Sequence, residues 1–233
     1  MGAVRLAPTP APVMLALVLA GVVALALALG RPPVAAAAAA AAPAATAEDG
    51  AALLKRIYDK NAALVSLQAP FTQVKESSLF ASSITTTGKI AFARPGRLRW
   101  EVTSKPRSVL VVNGPTVLLS YPDLGKREKF DRAKDPSLGA LFDQLFVWLG
   151  AADPAKIAAD YALARAPGPA ALAFTPLRDP VKSALAGVTV AFDPATLLVQ
   201  KVDLAERSGD TTAITFGPAV VNAPVADALF DVK

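Results

Sequence analysis

Apolar and polar residues take turns along most of this chain, and the pattern predicts strands. "FTQVKESSLF" (71–80), "TTTGKIAFA" (85–93) and "RLRWEVT" (97–103) follow one another with the spacing of half-buried strands. In the third, Leu98, Trp100 and Val102 share one face, while Arg97, Arg99 and Glu101 share the other. "RSVLVV" (107–112) runs into Asn113-Gly114, a hairpin turn signal, and "TVLLSY" (116–121) returns to "PDLG" (122–125) and "KREKF". Further strands are read at "YALARA" (161–166), "ALAFTPL" (171–177), "GVTVAFD" (187–193), "LLVQKVDLAE" (197–206) and "TTAITFG" (211–217). The tail from Asn222 shows no period.

Helical spacing interrupts the strands. Residues 49–66 predict a helix capped by Asp49, with Leu54, Ile57, Tyr58, Asn61 and Val65 near one face. Over 135–150, Leu138, Leu141, Phe142, Leu145 and Leu149 fall at i, i+3, i+4, i+7 and i+11, and Phe146 and Trp148 widen that apolar arc. Asp153-Pro154 then predicts a cap and first turn for a short helix reaching Asp160. About ten strands and three helices without βαβ alternation imply an α+β fold. Its expected form is one large, curved antiparallel sheet with the helices gathered on one side.

The first 47 residues differ from the rest. Arg5 precedes an apolar run, "VMLALVLAGVVALALALG" (13–30), then an alanine-rich tract ending in Ala45-Thr46-Ala47. This is the layout of an export signal cleaved before Glu48. An uncleaved anchor is the other reading, since roughly 18 apolar residues can just span a bilayer. Both readings put the domain at 48–233 outside the cytoplasm. Without Arg5 and Arg31, 22 basic residues face 19 acidic ones, a balance of +3 that is scattered and forms no nucleic-acid footprint.

Candidate chemistry is thin. The chain holds no Cys and no His, which removes disulfides, a thiolate nucleophile and the commonest general base and metal ligand. Asp123, Glu128, Asp131, Asp143, Asp193 and Asp203 read as turn or surface carboxylates. No glycine-rich phosphate loop or calcium loop is present, so the chain is read as a non-enzyme without cofactor or metal. What the sequence has in surplus is apolar strand surface: Ile90 and Phe92; Leu98, Trp100 and Val102; Val188, Val190 and Phe192. An ordinary core and the wall of an acyl-chain cavity share that signature, and patterning leaves both open.

From Phe71 to the C-terminus the chain resembles the LolA family of periplasmic lipoprotein carriers. "FTQ" (71–73), "GKIAFARPGRLRW" (88–100) and "SVLVVNGPTVLLSYPDLGKREKF" (108–130) carry the resemblance, and "LAFTPL", "VTVAFDPATLLVQKVDL" and "GDTTAITF" follow in the family's order. The resemblance implies an incomplete antiparallel β-barrel of about eleven strands, with helices as a lid over a hydrophobic cavity. It implies a periplasmic monomer that carries lipoprotein acyl chains. Its partners would be an inner-membrane ABC transporter of the Lol type and an outer-membrane lipoprotein acceptor. It also implies a latch: Arg94, in the Arg-Pro step, would hold lid carbonyls and keep the empty carrier shut, instead of resting at the rim with its head in water. The expected cavity lining is Ile90, Phe92, Leu98, Trp100, Val102, Leu110, Val112 and Leu118 from strands, with Leu138, Leu141, Phe142, Leu145, Phe146 and Leu149 from the lid. A lower aromatic content than in relatives leaves a carrier of another envelope lipid or glycolipid as an alternative. A LolA-like envelope sensor is a further one.

Overall fold

The computed structural model describes residues 47–77, 82–134, 136–150 and 152–232; the leader lies outside them. The described residues open with helix α1 (Ala47–Asn61), then run through β1 (Ser66–Glu76), β2 (Ile84–Ala93), β3 (Arg97–Val102), β4 (Ser108–Asn113), β5 (Thr116–Tyr121) and β6 (Lys126–Asp131). Helices α2 (Pro136–Trp148) and α3 (Pro154–Asp160) follow. The second half is β7 (Tyr161–Arg165), β8 (Ala171–Pro176), a one-turn helix α4 (Val181–Ala184), β9 (Leu185–Phe192), β10 (Val199–Glu206), β11 (Thr211–Phe216) and β12 (Val220–Val221).

All of these strands join one antiparallel sheet, in the order β6-β5-β4-β3-β2-β1-β11-β10-β9-β8-β7, with β12 also against β1. Two meanders are therefore fused through the β1–β11 pair, and β6 and β7 are left as free edges. The chain crosses from one edge to the other through α2 and α3. Alternate residues from ten of the strands enter a single buried cluster with all three of these larger helices. A sheet can bring so many strands to one cluster only by curling around it. This is the curved antiparallel sheet that the strand pattern predicts, with the open form of about eleven strands that the resemblance implies.

Turn chemistry sets the register. The β4–β5 hairpin pairs Asn113 with Thr116, so its two loop residues are Gly114 and Pro115. Gly114 takes a φ of 56°, which glycine adopts without steric cost. Gly88 has a different task. A Cβ there would stand 2.2 Å from the Glu101 carbonyl and 2.4 Å from the Phe71 ring. Its bare backbone is what lets Phe71 lie across β2 and reach Trp100.

The boundaries of α1 and β1 differ from the expectation. Helix α1 stops at Asn61, not 66, and Val65 is 60% exposed. Strand β1 starts at Ser66, not Phe71, because Leu67, Ala69 and Phe71 alternate inward in register with β2. Pro70, which has no N–H to give, lies where the partner of β1 changes from β11 (Phe71↔Phe216) to β12 (Gln68↔Val220). The tail, which lacks a period, is ordered by the outer face of the sheet. Phe230 is fully buried there in a second cluster with Ala91, Ala93, Val111 and Leu118.

Candidate functional site

The concave face is apolar from one rim almost to the other. Phe71 packs on Trp100 with ring centroids 4.3 Å apart, and Phe216 meets both rings edge-on. Nearer the opposite rim, Phe146 from α2 meets Phe92 at 6.2 Å. Phe142, Leu145, Trp148 and Leu149 of α2 and its C-terminal end are buried against the strands. The amphipathic spacing read in the sequence is thus spent on covering the sheet. The far end of this interior turns polar: Gln73, Thr86, Thr212 and Lys75 are buried, and Lys75 Nζ pairs with Glu206 at 2.7 Å and Asp210 at 3.6 Å. Lys75 lies nine residues along β1 from Ser66, about 30 Å at strand rise.

A cavity of about 440 Å³ opens at the near rim, between the β2–β3 turn and helices α2 and α3. Phe92, Phe146, Val147 and Ile157 give it apolar walls, and Arg94, Arg132, Lys156, Asp143, Asp153 and Asp160 ring it with charge. Asp143 on α2 joins two neighbours: it pairs with Arg132, just past β6, and with Lys156 of α3 at 3.0 Å. Asp153 caps α3 by accepting from the Ala155 N–H, as its sequence position predicts. Tyr161, at the start of β7, is buried on the cavity wall, and burial pushes its phenol well above the usual tyrosine range.

Arg94 sits at the cavity rim. Its Nε donates to the Leu64 carbonyl at 2.7 Å and its Nη2 to the Asn61 carbonyl at 3.3 Å. The last carbonyls of a helix have no partner within the helix and carry its negative dipole end. The guanidinium fork reaches one helix-end carbonyl, that of Asn61, which also accepts from the Leu64 N–H at 3.0 Å, and ties the loop carbonyl of Leu64 to the same rim. The Asn61 side chain then donates to the Leu197 carbonyl at 3.2 Å, tying the same helix end to the β9–β10 turn.

The family model described as "Outer membrane lipoprotein carrier protein LolA" matches residues 62–233. This chain belongs to the LolA family. Comparison with curated proteins gives no match. Among solved structures, the LolA-family chain resembles a domain assigned to outer membrane lipoprotein sorting from Vibrio parahaemolyticus, at 10% identity and TM-score 0.46, covering 80% of this chain and 97% of that one. It resembles a chain of the MucA/MucB complex of Pseudomonas aeruginosa at 21% identity and TM-score 0.45, covering 79% and 61%. It resembles lipoprotein LppX of Mycobacterium tuberculosis at 12% identity and TM-score 0.43, covering 77% and 98%.

The residues predicted to line the LolA cavity divide three ways. Phe92, Phe146 and Arg94 border the open space. Ile90, Leu98, Trp100, Val102, Leu110, Val112, Phe142, Leu145 and Leu149 are packed inside the main cluster, where α2 and the strands fill the room between them. Leu118 is a correction. It pairs with Val111 across β4–β5 and faces outward with it, under Phe230, while Val117 and Leu119 face inward. Strand parity decides this, and a uniformly apolar run such as "VLL" hides the parity. The side chains of Leu138 and Leu141 lie outside the described residues. Sequence reasoning passed over Arg132, Gln144, Lys156 and Tyr161, which reach the cavity from four separate elements.

Proposed function

We propose that this chain is a periplasmic carrier. It shields the acyl chains of lipoproteins and passes them from an inner-membrane ABC transporter of the Lol type to an outer-membrane acceptor. In this reading residues 48–233 form the carrier domain behind an export leader at 1–47, and the carrier acts as a monomer. One observation carries the reading: a continuous apolar concave face is closed by helices that side chains, not strand pairing, hold in place. Such a cover can lift without unzipping the sheet.

The energetics fit release as well as capture. Burial gains about 0.8 kcal/mol per methylene, so one chain of about fifteen carbons is worth on the order of 12 kcal/mol when fully covered. Binding with all of that would be permanent. Here the interior is occupied by Phe142, Leu145, Trp148 and Leu149, so an acyl chain must displace α2 and forfeit the burial of those side chains. If the end of α1 lifts together with α2, the two hydrogen bonds of Arg94 break as well, each roughly 1.5–3 kcal/mol for a charged donor. Net affinity is the difference between these terms, and an acceptor with a more open pocket can then take the cargo.

Arg94→Leu removes the latch and should shift the empty protein towards its open form. Such a variant is expected to load normally and hand over poorly. The measurement is lipoprotein transfer from the purified, loaded variant to acceptor, beside wild type; normal transfer removes Arg94 from the mechanism. The mass of lipid and protein co-purified from periplasm tests the reading itself. A carrier returning only free glycolipid would replace lipoproteins as the cargo, and one returning nothing acylated would end it.

A further inference from the structure

We propose that Asn222 is a positioning residue for the Arg94 latch: it grips from one side the two peptides that Arg94 grips from the other, and so sets the end of α1 where the latch can close. The inference rests on the acyl-carrier reading and concerns how its closed state is held. The Leu64–Val65 peptide gives its carbonyl to Arg94 Nε at 2.7 Å and its N–H to Asn222 Oδ1 at 2.7 Å. The next peptide repeats the arrangement. Its Val65 carbonyl accepts from the Arg94 N–H at 2.9 Å, and its Ser66 N–H reaches Asn222 Oδ1 at 3.4 Å. Asn222 Nδ2 donates to the Ala63 carbonyl at 3.2 Å, so the amide can face only one way. Turned over, it would set its NH2 against two N–H groups.

Hydrogen bonds, not packing, place this segment. Of residues 62–65, only Leu64 is buried, while Ala62, Ala63 and Val65 are exposed. A stretch with so little buried surface opens at low cost unless polar contacts hold it. Ending β12 does not need the Asn222 side chain. Its backbone N–H already continues the ladder to the Ser66 carbonyl at 2.9 Å, and Ser66 Oγ donates to the Ala223 carbonyl at 2.7 Å. The amide is left for the loop.

Backbone conformation points to the same segment. Among the described residues, two that are not glycine take a left-handed φ: Leu197 at 58° and Asn222 at 56°. That conformation is uncommon outside glycine, and Asn is among the residues that bear it best. Both residues touch the end of α1. The Leu197 carbonyl accepts from Asn61 Nδ2, and Asn222 binds Ala63 and Val65. Non-glycine residues persist in this region only where their surroundings fix them, and such positions gather at clamps and switches. Residues 61–66 are thus held from three directions: by Arg94 in the β2–β3 turn, by Leu197 in the β9–β10 turn and by Asn222 after β12. Arg94 also borders the rim cavity, so the set of this segment reaches the mouth.

Hydrogen exchange on the purified, empty protein tests the clamp. Asn222→Gly keeps the left-handed backbone and removes the amide. Exchange in residues 57–65 should quicken by about 3- to 10-fold, with β3 and β4 unchanged. Asn222→Asp keeps the accepting oxygen and should restore most of the protection. A structural role alone would not tie the effect to Arg94, so the double variant is the sharper comparison. Because Asn222 acts through the peptides that Arg94 holds, adding Asn222→Gly to Arg94→Leu should change exchange by less than about twofold. Full additivity of the two substitutions, or unchanged exchange in Asn222→Gly, overturns the positioning role. Uptake of an N-palmitoyl peptide, followed by the fluorescence of buried Trp100 and Trp148, should be about 3- to 10-fold faster in Asn222→Gly than in wild type. Equal uptake rates overturn Asn222 as part of the latch and leave acyl carriage standing. No uptake by wild type or variants overturns acyl carriage instead, a result separable from the clamp because the exchange comparison needs no cargo.

Discussion

At the scale of single residues, the charged side chains of this sheet act locally. Arg97 stacks its guanidinium 5.0 Å from the Phe230 ring and pairs with Asp227, and Arg99 pairs with Glu101 while donating to the Leu229 carbonyl. The polar face of β3 is therefore a clamp for the tail. Asp193 acts in the same local way in its turn. Its carboxylate accepts from the N–H groups of Ala195 and Thr196 and from the Thr196 hydroxyl, and these bonds, led by the Thr196 N–H, hold its pKa below the usual carboxylate range. A depressed folded-state pKa means stability that is present above the ordinary value of about 4 and lost as pH falls through the folded value. Asp193→Ala should accordingly melt below wild type at pH 7, with the gap closing as both proteins are acidified towards pH 2. A gap that stays constant across that range would show that the carboxylate charge plays no part.

Among the elements, α2 governs access to the concave face. Its apolar spacing was plain in the sequence, and the structure uses it as a cover that fills the concave face. The charges that fasten it were not plain. Asp143 is one carboxylate among many in the sequence, and only the meeting of β6, α2 and α3 places Arg132 and Lys156 beside it. Partly exposed pairs contribute modestly, about 1 kcal/mol or less apiece. Asp143→Asn should therefore loosen α2 without unfolding the sheet. Hydrogen exchange is expected to quicken by roughly 3- to 10-fold in residues 140–148 at low salt, with β1 and β2 unchanged. In high salt, which screens the wild-type pairs, the two proteins should converge.

At the scale of the whole molecule, the sheet has two working faces with separate tasks. The inner face and its helices form the candidate carrier site, while the outer face of β2–β5 is sealed by the C-terminal tail through Phe230 and Asn113, whose side chain donates to the Phe230 carbonyl at 3.0 Å. Phe230→Ala should cost about 3 kcal/mol, typical of deleting a buried ring, and lower the melting temperature by roughly 6–12 °C. Lipid binding by the folded fraction should match wild type, because the lost ring lies on the other side of the sheet. Weakened lipid binding in that fraction would mean that the two faces are coupled.

Local periodicity and turn residues were enough to read the strands of each meander, the two inserted helices and the Asp153 cap, but not the β1–β11 pairing that joins the meanders. Arg94 was named only through the resemblance to the LolA family, not through any periodicity of its own. Tertiary structure alone decided which face Leu118 takes, where β1 begins, and what Phe230 is for, since each depends on a partner strand or segment distant in the chain. It alone decided how much of the apolar face stays open. Side chains that fill a core and side chains that wall a cavity look the same in one dimension; the difference is the distance between them, which the closed position of α2 sets.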